Sequence, residues 1–324
     1  MSMYNVSTSP HVRDKSSTSS IMLDVIIAML PTALFGVFHF GFYSLVVIIA
    51  TMAAAALAEY LYEKGMKKPI TVRDYSALVT GMILALNMPP NVPLWIPILG
   101  AFFAIIIVKQ LFGGLGQNWM NPALAARCFL LISCTGFMTD FTYKAGADVI
   151  SGATPLAVMK EAFKGGNSAV AALAEKYTFG DLFIGNIPGT IGEVSTICLL
   201  IGAAYLLWKK VITWQIPVVY IGTVAVFTML FGQHSLSYVI AELLSGGLIF
   251  GAFFMATDYV SSPITPMGQI WYAVFIGVMT GLFRLFGSGA EGVSYAIILG
   301  NVVAPLIEGW TIPKAFGKED AKKK

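Results

Sequence analysis

A threonine followed by proline stands near the middle of the longest polar interruption in an otherwise apolar chain. Thr154 and Pro155 are followed at once by the helix-forming run LAVMKEAFK. Threonine is a good helix cap and proline favours the first helical position, so Thr154 is predicted to cap a helix. Its hydroxyl would lie beside free backbone N–H groups and the positive end of the helix dipole. This arrangement is suited to binding a phosphate.

The residues just before this threonine are small. Ser151, Gly152 and Ala153 leave the backbone open, so a bulky group could reach the hydroxyl, and the nearest acidic residue upstream is Asp148. On physical grounds alone, an ordinary capped helix in a loop is the favoured explanation of these residues. A phosphate site is the alternative.

The composition indicates the surroundings of this loop. The chain has 324 residues, of which 57% are hydrophobic and 11% charged, whereas an average soluble domain is about 25% charged. Within a bilayer only helices or closed barrels satisfy their backbone hydrogen bonds. The apolar runs are long and do not alternate with polar residues, which favours helices. The sequence therefore predicts an all-α integral membrane protein.

Ten apolar segments are predicted to be transmembrane helices. They are residues 21–38, 42–62, 76–88, 95–112, 120–135, 193–208, 211–231, 239–257, 268–286 and 292–308. The third is short and ends in NMPPNVP, and because proline cannot continue a helix it should stop partway across or break.

The distribution of basic residues predicts the orientation. Ten spans place both termini on one side, and 14 of the 20 Lys and Arg residues, Lys109 among them, fall in the tails and loops of that side. By the positive-inside rule both termini are cytoplasmic. The loop at 136–192, which contains Thr154, is then extracytoplasmic, and the chain is a multi-pass protein of the inner or plasma membrane.

Two halves of the chain resemble each other. QLFGGLGQNWMNPALAA is similar to RLFGSGAEGVSYAIILG, and VTGMILAL is similar to LSGGLIFG. Five segments per half would invert the second copy, an architecture typical of transporters and channels; chance likeness among glycine-rich helices is the alternative. The predicted divisions are a tail at 1–20, a first repeat at 21–135, the loop at 136–192, a second repeat at 193–308 and a tail at 309–324.

Few ionisable residues fall in or beside the predicted spans. They are Asp24, Glu59, Arg127, Glu193, Glu242, Asp258 and Arg284. Such residues are functional candidates in a bilayer, and Arg127 and Glu242 are the two that could lie deepest. The three cysteines form no CxxC pair, so neither a metal site nor an iron–sulfur site is expected from this chain alone.

The stretch DVISGAT resembles the motif recognised by the flavin transferase that esterifies a threonine hydroxyl with the phosphate of FMN. Asp148, Ser151, Gly152 and Ala153 match its leading residues, and Thr154 matches the acceptor. Nearly the whole chain resembles the D subunits of Rnf complexes, which are ion-translocating ferredoxin:NAD oxidoreductases. It is also similar to the B subunits of sodium-pumping NADH:quinone oxidoreductases. RDKSSTSSIMLDVIIAMLP, ITVRDYSALVTGMILALNMPP, GGLGQNWMNPALAAR and FMATDYVSSPIT carry the likeness, and the form SGATPL is closer to Rnf.

This resemblance implies a redox subunit without a complete active site of its own. It implies covalent FMN on Thr154, a threonine phosphoester, and a noncovalent riboflavin between the halves towards the cytoplasm. The implied partners are an extracytoplasmic flavin subunit, iron–sulfur subunits and the flavin transferase, with no nucleic acid. Electron transfer between ferredoxin and NAD would be coupled to sodium or proton translocation.

The fold implied by the resemblance is distantly urea-transporter-like. A channel or transporter for a small solute, without a redox role, is therefore the alternative function. The flavin motif separates the two functions, because a channel has no need of an FMN acceptor.

Overall fold

The computed structural model describes residues 17–145, 148–150, 152–287, 289 and 292–313. Within them the chain is helical apart from one short antiparallel hairpin. Most of the two predicted tails lies outside the described residues, and so does Ser151 of the predicted flavin motif.

The helices fall into two apolar groups separated by a connecting segment, residues 134–195. Before it come α1 (Thr18–Phe40), α2 (Phe42–Gly65), α3 (Ser76–Leu86), α4 (Trp95–Phe102), which continues as a π-helix (Phe103–Gln110), and α5 (Pro122–Ser133). The connecting segment contains α6 (Thr135–Met138), β1 (Tyr143–Ala145), β2 (Asp148–Ile150), α7 (Pro155–Lys164), α8 (Ala169–Ala174) and α9 (Phe179–Ile184). After it come α10 (Thr196–Trp208), α11 (Gln215–Phe231), α12 (Leu236–Leu244), α13 (Leu248–Phe250), which continues as a π-helix (Gly251–Met255), α14 (Pro266–Phe286) and α15 (Val293–Thr311).

Several of these helices suit a bilayer. Four are long and apolar enough to cross one, namely α1, α2, α14 and α15. A fifth, bent span consists of α12 followed by α13 and its π-helix. Five further apolar helices have 10–17 residues. The predicted helical membrane protein is thereby confirmed, whereas the number of ten spans stays a prediction.

The third helix stops where its sequence predicts. Helix α3 ends at Leu86, and Asn87 donates a side-chain hydrogen bond back to the Ile83 carbonyl at 2.7 Å. Pro89 and Pro90 follow and prevent the helix from continuing. Ten of its 11 residues are buried, so this short helix lies inside the protein rather than against lipid.

The predicted segment at 239–257 is a bent span rather than a straight helix. Helix α12 ends at Leu244, and the chain bends by 66° before it resumes at Leu248. Gly246 in the break has φ 68°, a left-handed conformation that favours glycine. A Cβ at Gly247 would collide with the Glu193 carboxylate. The apolar pattern runs on through the break, so only the packing of the glycines reveals it.

The connecting segment packs onto the ends of the membrane helices through a small core of its own. This core contains Phe40, Leu156, Met159, Leu173, Leu182, Tyr238 and Leu285. The helix predicted behind Thr154, in the run LAVMKEAFK, is confirmed as α7. The hairpin and α9 were not predicted. Because α7 is anchored by Leu156 and Met159, its N-terminus has a fixed place in the fold.

Candidate functional site

Thr154 is the N-cap of α7, as the sequence predicts. Its backbone has φ −59° and ψ 150°, and its hydroxyl oxygen accepts the Ala157 N–H at 3.3 Å. Pro155 occupies the first helical position. The threonine oxygen therefore lies at the positive end of a ten-residue helix, where it already accepts one first-turn N–H.

The loop that leads into Thr154 is packed on one side. Tyr177 donates its hydroxyl to the Ala153 carbonyl at 3.3 Å. A Cβ at Gly152 would lie 3.3 Å from the Tyr177 oxygen and 3.4 Å from Pro188 Cγ, so a larger residue would press on both. Asp148 lies at the start of β2, paired with Ala145 across the hairpin.

Thr154 also lines a cavity of about 710 Å³ between α5, α6, α7, the end of α14 and α15. Its walls are mainly apolar and include Leu131, Met138, Phe141, Ala157, Phe283 and Tyr295, together with Gly152, Ala153, Gly287 and Gly289. Small-molecule sites have volumes of about 300–1,000 Å³ and similar linings. The cavity thus brings an open volume and aromatic side chains to the one hydroxyl that the motif singles out.

Two buried ion pairs surround this region. Glu193 borders a narrow gap shared with Thr154 and binds Arg127 at 2.9 Å. Arg284 lies 3.1 Å from the Glu242 carboxylate. Arg127 and Glu242 are both buried in the protein, each at most 3% exposed, and their depth in the bilayer stays a prediction. Their partners could not be read from sequence, because each pair joins helices or loops far apart in the chain.

Two lysines that the sequence counts among the charges of tails and loops are buried, and for Lys109, which lies in the Phe103–Gln110 helix, the assignment to a loop is wrong. Lys109 is 2% exposed and binds Glu59 at 2.6 Å and the Ser76 hydroxyl at 2.5 Å. Lys160, on α7, donates to the Phe283 carbonyl at 3.1 Å and to the Gly289 carbonyl. Neither residue carries a motif that marks it, so helix packing alone places them.

A second cavity, of about 240 Å³, lies between the two groups of helices. It is lined by α1 and α3, by the 115–122 turn and by residues 253–260, and its apolar walls include Met22, Val79, Ile83, Phe253 and Phe254. Ser76, Lys109, Asn118 and Asp258 supply its polar groups. The cavity therefore offers a few hydrogen-bonding groups in an otherwise apolar pocket.

Comparison with known proteins assigns the chain. The model of the NQR2, RnfD, RnfE family matches residues 5–317. The chain belongs to this family. Among its relatives, the D subunit of the Na⁺-translocating ferredoxin:NAD⁺ oxidoreductase complex of Acetobacterium woodii is 47% identical over 98% of this chain and 96% of its own length.

Two further relatives match at similar coverage. The D subunit of the proton-translocating ferredoxin:NAD⁺ oxidoreductase complex of Clostridium ljungdahlii is 44% identical over 97% of this chain and 96% of its own length. The D subunit of the ion-translocating oxidoreductase complex of Escherichia coli K12 is 34% identical over 97% of this chain and 99% of its own length. The family likeness predicted from the sequence is confirmed.

Proposed function

We propose that this chain is the D-type membrane subunit of an Rnf-type complex and carries FMN as a phosphoester on Thr154. Its family relatives are named as subunits of ion-translocating ferredoxin:NAD⁺ oxidoreductase complexes. The complex would couple electron transfer between ferredoxin and NAD to sodium or proton translocation. An extracytoplasmic flavin subunit and iron–sulfur subunits would be its redox partners, and a flavin transferase would attach the FMN.

One observation carries the assignment of Thr154. Its hydroxyl caps α7 and at the same time lines the 710 Å³ cavity. A phosphate ester on this oxygen would lie at a helix N-terminus, where backbone N–H groups and the dipole favour negative charge. The aromatic walls of the cavity offer surfaces against which a flat ring system can pack. The residues present therefore fit a flavin joined through its phosphate.

The flavin, when bound, supplies the electron-transfer chemistry, and the protein supplies its placement. Thr154 tethers the group, and the first turn of α7 balances the phosphate charge. Phe141, Phe283 and Tyr295 would pack against the flavin ring. Gly152 and Ala153 leave the Thr154 hydroxyl sterically accessible to the flavin phosphate, because one has no side chain and the other only a methyl group.

Peptide mass spectrometry of the native complex tests this proposal. The peptide that contains Thr154 should be heavier by the mass of FMN less one water, and fragmentation should place the addition on Thr154. The Thr178 peptide, from another capped helix of the connecting segment, is the internal control and should be unmodified. An unmodified Thr154 peptide in an active complex would refute the attachment of FMN to this residue.

A noncovalent riboflavin between the two groups of helices is the second part of the proposal; the 240 Å³ cavity there is below the usual size of a small-molecule site and would have to widen around the ring. The hydrocarbon core is about 30 Å thick, so electrons passing between the outer flavin and the cytoplasm need a centre in between. The pocket lies between the two groups of helices, and the 22 residues that line it include Asn118, Asp258 and Lys109. These polar groups could bind the ring edge or the ribityl hydroxyls.

Acid precipitation of the Thr154→Val protein measures this second flavin without interference from the first. The supernatant should contain about one riboflavin per chain, because a noncovalent ligand is released when the fold is lost. Ile83→Trp, which fills the pocket with a large side chain, should lower that amount at least severalfold. A flavin-free supernatant from folded Thr154→Val protein would rule the second site out.

We also propose that the two groups of helices are inverted five-helix repeats of urea-transporter-like fold. The first helices of the two groups pack together, with Gly202 of α10 against the Ala28 carbonyl of α1. The third helix of each group is short, since α3 ends at Leu86 and α12 at Leu244. Five spans per half would place both termini on one side of the membrane and the connecting segment on the other. The positive-inside rule makes the side of the termini the cytoplasm.

Cysteine labelling tests this orientation with two matched positions. Lys164 and Lys64 are both exposed residues near the C-terminal end of a helix. With the three native cysteines replaced, an impermeant thiol reagent should label Lys164→Cys in intact cells. Lys64→Cys should be labelled only after the membrane is opened. The opposite pattern would invert the topology and place Thr154 in the cytoplasm.

A further inference from the structure

Lys160 is a buried lysine beside the Thr154 cavity. It follows Thr154 on α7, and the residue is only 8% exposed. Lysine is almost never buried to this extent unless its polar head is paired. Here Nζ donates to the carbonyls of Phe283, at 3.1 Å, and of Gly289. Both acceptors are neutral, so these bonds satisfy the donors without cancelling a charge.

The two carbonyls belong to a different wall of the cavity from Lys160. Phe283 is in the last turn of α14 and Gly289 in the connection to α15, and both residues line the cavity together with Thr154. Lys160 therefore joins the helix that begins at the attachment hydroxyl to Phe283 and Gly289 on another wall of the cavity. One side chain holds the two walls together.

The neighbouring charges do not neutralise this lysine. Arg284 and Glu242 form a pair at 3.1 Å and have no net charge together. Burial lowers the pKa of Lys160, with Lys164 and Arg284 acting in the same direction and Glu242 opposing them. In its protonated form Lys160 gives this wall of the cavity a net positive charge.

We propose that Lys160 is a positioning residue of the flavin site, which fixes the cavity wall and electrostatically favours the reduced flavin. Reduction adds electrons to the flavin, and a positive charge nearby stabilises the more electron-rich state. The inference rests on the proposed covalent FMN at Thr154. It concerns the redox potential of that flavin and not its attachment.

A redox titration of the full-length chain, purified with its covalent flavin, tests the inference. Lys160→Met removes the charge and keeps the length of the side chain, whereas Lys164→Met removes an exposed lysine from the same helix. At the midpoint potential of the unaltered chain, Lys160→Met should have a roughly tenfold lower ratio of reduced to oxidised flavin. This is the order expected for a unit charge acting over about 10 Å inside a protein. Lys164→Met should titrate like the unaltered chain.

Two further variants keep the outcome decisive. Lys160→Arg keeps the charge and should restore the potential. Lys160→Gln keeps a hydrogen-bond donor without the charge, and it should be shifted like Lys160→Met even if the methionine variant does not accumulate. In-gel fluorescence of each variant shows whether the flavin is attached. A fluorescent Lys160→Gln chain with unchanged potential would overturn the inference, whereas a non-fluorescent unaltered chain would refute the proposed function instead.

Discussion

Replacing Thr154 with valine should abolish the covalent flavin of this chain. Valine keeps the branched shape of threonine but has no oxygen to form the phosphoester. Fluorescence under ultraviolet light of the denatured band should fall to background, while the protein still inserts into the membrane. Loss of the helix cap should cost only about 1 kcal/mol, so the expected result is a folded chain without covalent flavin.

Two variants separate attachment from capping. Thr154→Asn keeps a good N-cap but has no hydroxyl, so it should be as dark as Thr154→Val. Thr154→Ser keeps the hydroxyl and should be at least partly fluorescent. Thr139→Val alters another threonine that lines the same cavity and should retain full fluorescence. A fluorescent Thr154→Asn band would show that the flavin is attached elsewhere.

Replacing Glu59 with leucine should strongly destabilise the protein. Lys109 is 2% exposed, and its ammonium binds Glu59 at 2.6 Å; Gln110 donates to the same carboxylate oxygen at 2.9 Å. Removing one partner of a buried pair leaves an uncompensated charge and typically costs about 3–5 kcal/mol. Thermal unfolding of the purified chain in detergent should show a clearly lower midpoint than the unaltered chain.

The double variant Glu59→Leu with Lys109→Met should recover most of this loss. Apolar residues of similar volume can replace a buried ion pair at little cost, because neither charge then has to be desolvated. Glu161→Leu removes an exposed carboxylate on α7 and should change stability by no more than about 0.5 kcal/mol. If the single and double variants unfold at the same temperature, the destabilisation by Glu59→Leu does not come from the unpaired charge of Lys109.

Features that depend on neighbouring residues were predictable from the sequence. The hydroxyl of Thr154, the ring of Pro155 and the apolar run behind them fix the start of α7, because capping involves only residues within one turn. Pro89 and Pro90 end α3 for an equally local reason. The helical membrane character follows from the length and uniformity of the apolar runs. The resemblance of DVISGAT to the flavin-transferase motif predicts Thr154 as the acceptor before any cavity is known, whereas local physical chemistry alone predicts only a helix cap.

Features that depend on distant residues were decided only by the tertiary structure. Nothing in the sequence marks Lys109 and Lys160 as buried, yet each is covered by helices from elsewhere in the chain. The bend at Gly246 lies inside an apolar run whose pattern does not show where the helix breaks. The cavity beside Thr154 needs α5, α14 and α15 to converge on α7. Burial, ion pairing and cavity shape arise from contacts between segments far apart in sequence, and no local pattern encodes which segments meet.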